Sequence, residues 1–365
     1  MNASLEIAKV LLSPPGDTIR ETLDVMEMSQ AELAERMGRA KEKVNDMIKG
    51  RAPISQNTAF QLEKVLGVPA TFWLNREKEY RRELFVLQQK ENLLRDLDWA
   101  RAFPVNQMRK HGWLPTSESK ESLVNDLLKF FGVASPKEWS ELYLKEKHQS
   151  AFRVSLASTV SPHAVSAWLR MGELHCGQQS FPAYDKKAFT AMLKAAKKLA
   201  WHSPVDFHQR LQVMCHDCGV ALVYTPKLPK APISGASRWF RQTPLIQLSD
   251  RFKTADQFWF SFFHEAAHII LHGKKDIFLE DLKGTPTDKN KEEEANNYAA
   301  GLILPETELQ EVLASKPLTT ERIRHFANKF CVPASIILGR LQHLGVVRYS
   351  WGNELKQRIK LFDDN

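Results

Sequence analysis

The chain is poor in the features that would place it outside the ordinary globular proteins. It has only four cysteines in 365 residues, Cys176, Cys215, Cys218 and Cys331. They are too few and too scattered for a disulfide framework, and they point to a reducing compartment. Its longest apolar stretch, about Phe258 to Phe263, is far too short to span a membrane. The opening segment MNASLEIAKVLL lacks a basic stretch and already carries Glu6 and Lys9, so we expect no signal peptide and a cytoplasmic protein. No repeat of fixed period and no low-complexity tract is present. What is there can build a core: 43% of residues are hydrophobic and 26% charged. The length suggests two or three domains. The net charge of +8 leans toward an anionic partner, although such an excess is often only a solvated surface.

Pro14-Pro15-Gly16 punctuates the start, and an amphipathic helix is expected from about Asp17, with Ile19, Leu23 and Met26 at helical spacing. Ser29-Gln30-Ala31-Glu32 reads as a capping box: Ser29 accepts from the third amide and Glu32 reaches back to the Ser29 amide. Counted from Gln30, the fifth, ninth and fifteenth residues are Ala34, Gly38 and Val44. A small residue lets two helices approach, glycine permits the turn, and a β-branched side chain packs between them. That is the steric pattern of a helix-turn-helix; a generic bundle of short helices is the plainer alternative.

The segment resembles the Xre-type domain of HigA-like antitoxins, through Leu23, the run Ser29 to Ala34, Gly38, Val44, Ile48, Gly50, Leu66-Gly67 and Thr71-Phe72-Trp73-Leu74-Asn75. The resemblance implies a homodimer on a double-stranded DNA operator, with Gln30 at a phosphate and the second helix in the major groove. Lys41, Lys43, Asn45, Lys49 and Arg51 complete the candidate DNA contacts. The sequence departs from the family where Ala40-Lys41-Glu42-Lys43 opens the recognition helix in place of a Ser-Arg-Gln-Thr-like run. Glu42 would read cytosine or repel phosphate.

From Arg76 to about Ala102 the sequence is charged and helical, with Tyr80, Leu84, Leu87, Leu93 and Leu94 at heptad-like spacing. It reads as a solvent-facing connector helix or as a dimer stem. Residues 103–205 read as further helices, including Lys120 to Phe131 and Lys186 to Trp201, with Trp113, Trp139 and Trp168 in a core or at domain contacts. Cys215-His216-Asp217-Cys218 could be a redox pair or half a zinc site. With no second such pair and no thioredoxin-like pattern, two thiols on a helix face are the plainer reading.

Three short strands are expected around Val220–Tyr224, Ala236–Phe240 and Leu245–Leu248, followed by a long helix from about Thr254 to His272. That helix contains His264-Glu265-Ala266-Ala267-His268. Two histidines four apart project from one helix face and can grip one ion. Glu265 points differently and is placed to take a proton from a water that zinc acidifies, as the water attacks a carbonyl. Such a pentad arises by chance in about one chain in fifty of this length, so its context matters. Catalytic zinc wants three protein ligands and an open position. Downstream, Glu292-Glu293-Glu294 opens a helix that stops at Pro305. Glu292 shares a face with Ala295 and Ala299, which makes it the expected third ligand, with Glu294 in reserve. Compensation of the helix dipole is the alternative role for these acids.

The region from about Phe207 to Pro305 resembles the ImmA/IrrE family of zinc metallopeptidases. Gly219-Val220, Ser234-Gly235, Pro244-Leu245-Ile246, the run Phe263 to Gly273, and Glu292 through Pro305 carry the match. It implies His264, His268 and a glutamate of the second helix on zinc, and Glu265 as base. It also implies cleavage of a protein such as a transcriptional repressor, in a phage, mobile-element, toxin-antitoxin or stress circuit.

The expected fold is mainly α with a small β-sheet (α+β). It comprises an all-α helix-turn-helix domain (14–75), a helical connector (76–205), a zincin-like metallopeptidase domain (206–310) and a C-terminal helical extension (311–365). The expected function is that of a DNA-binding regulator with a zinc-dependent endopeptidase. The rival is a non-enzymatic, antitoxin-like repressor whose metal is structural or sensory.

Overall fold

The computed structural model describes residues 3–116, 120–144, 161–251, 254–274, 277–280 and 289–362. The chain is α+β and divides into two compact units, Met1–Asp98 with Ser119–Asn125, and Trp99–Glu118 with Asp126–Asn365.

The first unit is helical: α1 (Ala3–Leu11), α2 (Pro15–Val25), α3 (Gln30–Arg36), α4 (Lys41–Ile48), α5 (Gln56–Leu66) and the long α6 (Ala70–Arg95). Its core is drawn from α2 to α6 and includes Ile19, Leu23, Leu33, Ala34, Val44, Ile48, Leu62 and Trp73. The helix-turn-helix spacing has a physical basis here. Ala34 and Val44 are both buried, and Gly38 sits at φ 63°, a conformation that costs glycine little. The Gly38 and Arg39 amides return to the carbonyls of Glu35 and Ala34, closing α3 before the turn. Half of the expected capping box forms. Ser29 accepts from the Glu32 amide at 3.1 Å, but the Glu32 carboxylate pairs with Arg36 at 2.6 Å instead of reaching back. An i, i+4 cation on the same face competes successfully for it. α1 lies against α6, where Lys9 pairs with Glu91 at 2.6 Å.

Then follow α7 (Leu97–Arg101), α8 (Val105–Lys110), α9 (Lys120–Phe131), α10 (Pro136–Tyr143), α11 (Pro162–Gly177), α12 (Lys186–His202) and α13 (Phe207–Asp217). Of the three tryptophans expected in a core, Trp139 and Trp168 are buried and Trp113 is partly so. The strands are β1 (Ala221–Thr225), β2 (Gly235–Phe240), β3 (Thr243–Ser249) and the short β4 (Phe278–Leu279), in the order β1-β3-β2-β4. β1 runs parallel to β3, and the β2–β3 and β2–β4 pairs are antiparallel. Both faces of β1 are covered. Leu222 and Tyr224 join the main core with α12 to α14, while Ala221 and Val223 pack with Cys176 of α11. Period-two alternation explains why a fully apolar strand is accommodated.

α11 is tied to the sheet by polar bonds as well. Trp168 Nε1 donates to the Thr225 carbonyl at 3.3 Å, and Gln247 donates to the Trp168 carbonyl at 2.7 Å. Arg238 donates to the Leu169 carbonyl at 2.7 Å. Cys215 and Cys218 are free and buried at the end of α13. The chain continues with α14 (Ala255–Leu271), α15 (Lys289–Ile303), α16 (Glu306–Ala314), α17 (Thr320–Phe330) and α18 (Ala334–His343). Ile323, Phe326, Ile337 and Leu341 of α17 and α18 share one hydrophobic core with Phe258, Phe262 and Phe263 of α14. The C-terminal helices are therefore part of the second unit's core.

Candidate metal centre and nucleic-acid interface

α14 is an apolar helix sunk into the core, with Phe258, Trp259, Phe262, Phe263, Ala266 and Ala267 all buried. Its first free amide is met from elsewhere in the chain: Ala255 N–H donates to the Gln357 carbonyl at 2.8 Å. α14 packs on α15, where the small residues Ala295 and Ala299 are fully buried. That close approach carries the start of α15 to the histidine face.

There, three donor atoms converge. His264 Nε2 and His268 Nε2 are 3.0 Å apart. Glu292 Oε2 lies 3.2 Å from the first and 3.6 Å from the second. The three side chains form a group that could hold a metal ion. A tetrahedral ion bound at roughly 2.0–2.1 Å holds its donors about 3.3 Å apart, and the three observed separations bracket that value. Two imidazole nitrogens and a carboxylate also suit zinc chemically. Among the described residues, no acceptor meets the buried Nδ1 of either histidine.

The electrostatics follow from burial and crowding. Burial alone would lower the pKa of His264, but Glu292, Glu265 and Glu280 reverse this and raise it to about 9. Burial lowers that of His268 to about 4 against the pull of Glu292. Glu292 is itself held near about 2, because hydrogen bonds from both histidines outweigh its partial burial. The three groups thus favour a shared proton or a cation between them. Glu294 stands apart. Its exposed carboxylate is 3.9 Å from His272 Nδ1, and His272 Nε2 lies 3.1 Å from the Lys291 carbonyl.

Glu265 is fully buried on the adjacent helix face. Burial pushes its pKa well up; His264 pulls it down, and Glu280 and Glu292 add to the rise. The Ser237 hydroxyl also opposes the rise without a hydrogen bond of ordinary geometry. Room for this carboxylate comes from Gly235 of β2. A Cβ at that position would lie 2.7 Å from Glu265 Oε1 and 3.1 Å from Glu280 Oε2.

Three residues around the centre, Phe260, Phe278 and Glu280, and the steric role of Gly235 were not read from the sequence. Phe260, one turn before His264, stacks on its ring with centroids 6.1 Å apart; the i, i+4 series 260, 264, 268 was a usable signal. Phe278 of β4 stacks on His268 at 3.7 Å, and β4 also delivers Glu280, whose amide donates to the Gly235 carbonyl at 3.0 Å. Nothing local marks a two-residue strand. The structural role of Gly235 depends on a side chain thirty residues away.

In the first unit, α4 presents Lys41 and Lys43 to solvent, with Asn45 half-buried and Val44, Met47 and Ile48 turned inward. Gln30, Lys49 and Arg51 are exposed, and Arg51 lies 3.8 Å from Asp46. Glu42 is exposed on the same helix. Arg39 is used internally: it donates to Gln61 at 2.7 Å and to Thr58 at 2.9 Å, fixing the turn to α5.

Two stretches of the chain match known families. Residues 19–73 match the helix-turn-helix family model. Residues 215–342 match a peptidase family described as the IrrE N-terminal-like domain. The chain joins a helix-turn-helix domain to an IrrE-like domain. No curated protein matches the chain. The IrrE-like match reaches through α18, in keeping with the single core of that unit. Among the described residues, no helix is long and apolar enough to cross a membrane.

Proposed function

We propose that the protein is a transcriptional regulator that carries a zinc-dependent endopeptidase, and that it cuts a protein partner such as a repressor. The observation that carries this reading is the triangle of His264, His268 and Glu292 beside the buried carboxylate of Glu265. Zinc held there would supply a Lewis acid that acidifies water and polarises a peptide carbonyl. Glu265 takes the proton from the attacking water and returns it to the leaving amine. Its burial, with Glu280 and Glu292 nearby, gives it the raised basicity that this role requires. Phe260 and Phe278 fix the two imidazole planes by stacking. The helix-turn-helix addresses the protein to operator DNA, through the exposed face of α4 and through Gln30. Toxin-antitoxin, phage and stress circuits are settings in which such a regulator would act.

The test uses Glu265→Gln in the zinc-loaded full chain, with candidate substrates taken from proteins encoded beside it. The expected result is one zinc per chain and a loss of cleavage of about 10²–10⁴-fold. Cleavage at the wild-type rate would eliminate Glu265 as the base.

A further inference from the structure

Residues beyond the IrrE-like match fold back onto the helix that carries the histidines. Gln342, buried in α18, donates to the carbonyls of Tyr349 and Trp351 at 3.2 and 3.0 Å. The chain then makes a short 3-10 turn, Asn353–Leu355. Beyond it, Arg358 bridges Thr254 and the Gln357 carbonyl caps Ala255. Lys356 Nζ approaches Asp256 Oδ2 at 3.6 Å. The last segment is thus fastened to the N-terminal end of α14.

Between this fold-back, α14, α15 and α18 lies a cavity of about 300 Å³. Its walls are mostly apolar, with Phe260, Ala300, Ile303, Leu304 and Ile336 among them, and Tyr349 and Lys356 close it from the C-terminal segment. One end borders the metal centre. Phe260 stacks on His264, Glu280 shares the space over Gly235 with Glu265, and Asn296 stands one turn beyond Glu292 on α15. The other end is polar. Asp256 is only 8% exposed, and among the described residues its Oδ1 meets no hydrogen-bond partner. Among the same residues, the buried Ser261 Oγ and Arg340 Nε meet none either. All three residues line the cavity.

We infer that this cavity receives a side chain of the peptide substrate next to the scissile bond, and that the side chain is tyrosine. The inference rests on the peptidase reading above. The volume and the apolar walls call for a large side chain. The charges select its tip. At the polar end Asp256 opposes a carboxylate, while Arg340 and Lys356 oppose a second cation. A neutral group remains that can donate to Asp256 Oδ1 and accept from Arg340 or Ser261. A phenol does both; leaving the buried carboxylate oxygen unpaired disfavours phenylalanine.

Two readouts separate this inference from the reading beneath it. The first is binding of N-acetyl-tyrosinamide and N-acetyl-phenylalaninamide to the full chain, followed by ligand-observed NMR. The tyrosine amide should bind about tenfold more tightly. Ala300→Phe, which fills the cavity, should abolish binding of both, and Asp256→Ala should erase the preference while phenylalanine still binds. Zinc content checks that each variant keeps its fold, and either variant suffices if the other fails to fold. Equal binding of the two amides by the wild type, or binding unchanged in the variants, overturns the inference. The second readout is cleavage of a mixed-sequence peptide pool by the zinc-loaded chain. Tyrosine should flank the cuts, and Asp256→Ala should remove that enrichment; cuts without it overturn the inference and leave the peptidase standing. Tyrosine binding with no cleavage of any peptide would instead sink the peptidase reading, and with it the cavity's role as a substrate subsite.

Discussion

The helix-turn-helix core and the candidate metal centre are built at different ranges along the chain. Ala34, Gly38 and Val44 lie within eleven residues of one another, and each does its work against the helix next to it. The metal centre draws on β2, α14, β4 and α15, with Gly235 and Glu292 at its extremes. Only the α14 residues Phe260, His264, Glu265 and His268 are near neighbours in sequence. A local motif can be disturbed by changing its own residues. A gathered site can also be disturbed at positions that bear no reactive group.

Gly235→Ala should have the largest effect of the substitutions that leave every reactive group in place. The new Cβ would press on the Glu265 carboxylate, and a displacement of about 1 Å at a reacting group costs about 10² in rate. Zinc content should stay at the wild-type level. Cleavage kinetics beside metal analysis check this; full activity in Gly235→Ala would mean that the site adapts as easily as a local motif does.

Trp168→Phe tests the gathered site from the other face of the sheet. It removes a buried hydrogen bond to the Thr225 carbonyl, worth about 0.5–1.5 kcal/mol. Urea unfolding of the full chain should show the loss in the transition of the second unit alone. The same loss in the helix-turn-helix transition would contradict the division into two units.

The smallest effect belongs to the local motif. Lys43→Ala should weaken operator binding and reduce the slope of log affinity against log salt by about 0.9, the value of one phosphate contact. Glu42→Gln should move affinity the other way. Titrations at several salt concentrations separate the two, and an unchanged slope in Lys43→Ala would remove this lysine from the interface.

The same contrast explains what was legible in the sequence. The helix-turn-helix followed from three residues and a cap, because its constraints are steric and local. The histidine pair followed from helical spacing, and Glu292 from the face it shares with Ala295 and Ala299; the structure brings these three side chains together and leaves Glu294 on His272. The capping box was only half legible, since Arg36 competes for Glu32. Phe278 and Glu280 gave no usable signal, and Gly235, although part of the family resemblance, gave none of its steric role. A two-residue strand has no period, and a glycine's neighbour across a sheet is fixed by register. The fold-back of the C-terminal segment onto the start of α14 was equally silent, because, the Lys356–Asp256 pair apart, its bonds run to backbone carbonyls, which every sequence possesses.

The most direct test of the metal centre is zinc per chain, measured on the protein purified under reducing, chelator-free conditions beside His264→Ala, Glu292→Ala and Glu294→Ala. The geometry predicts about one zinc in the wild type and in Glu294→Ala, and loss of zinc in His264→Ala and Glu292→Ala. A wild-type chain without zinc, or zinc lost with Glu294 and kept without Glu292, would contradict it.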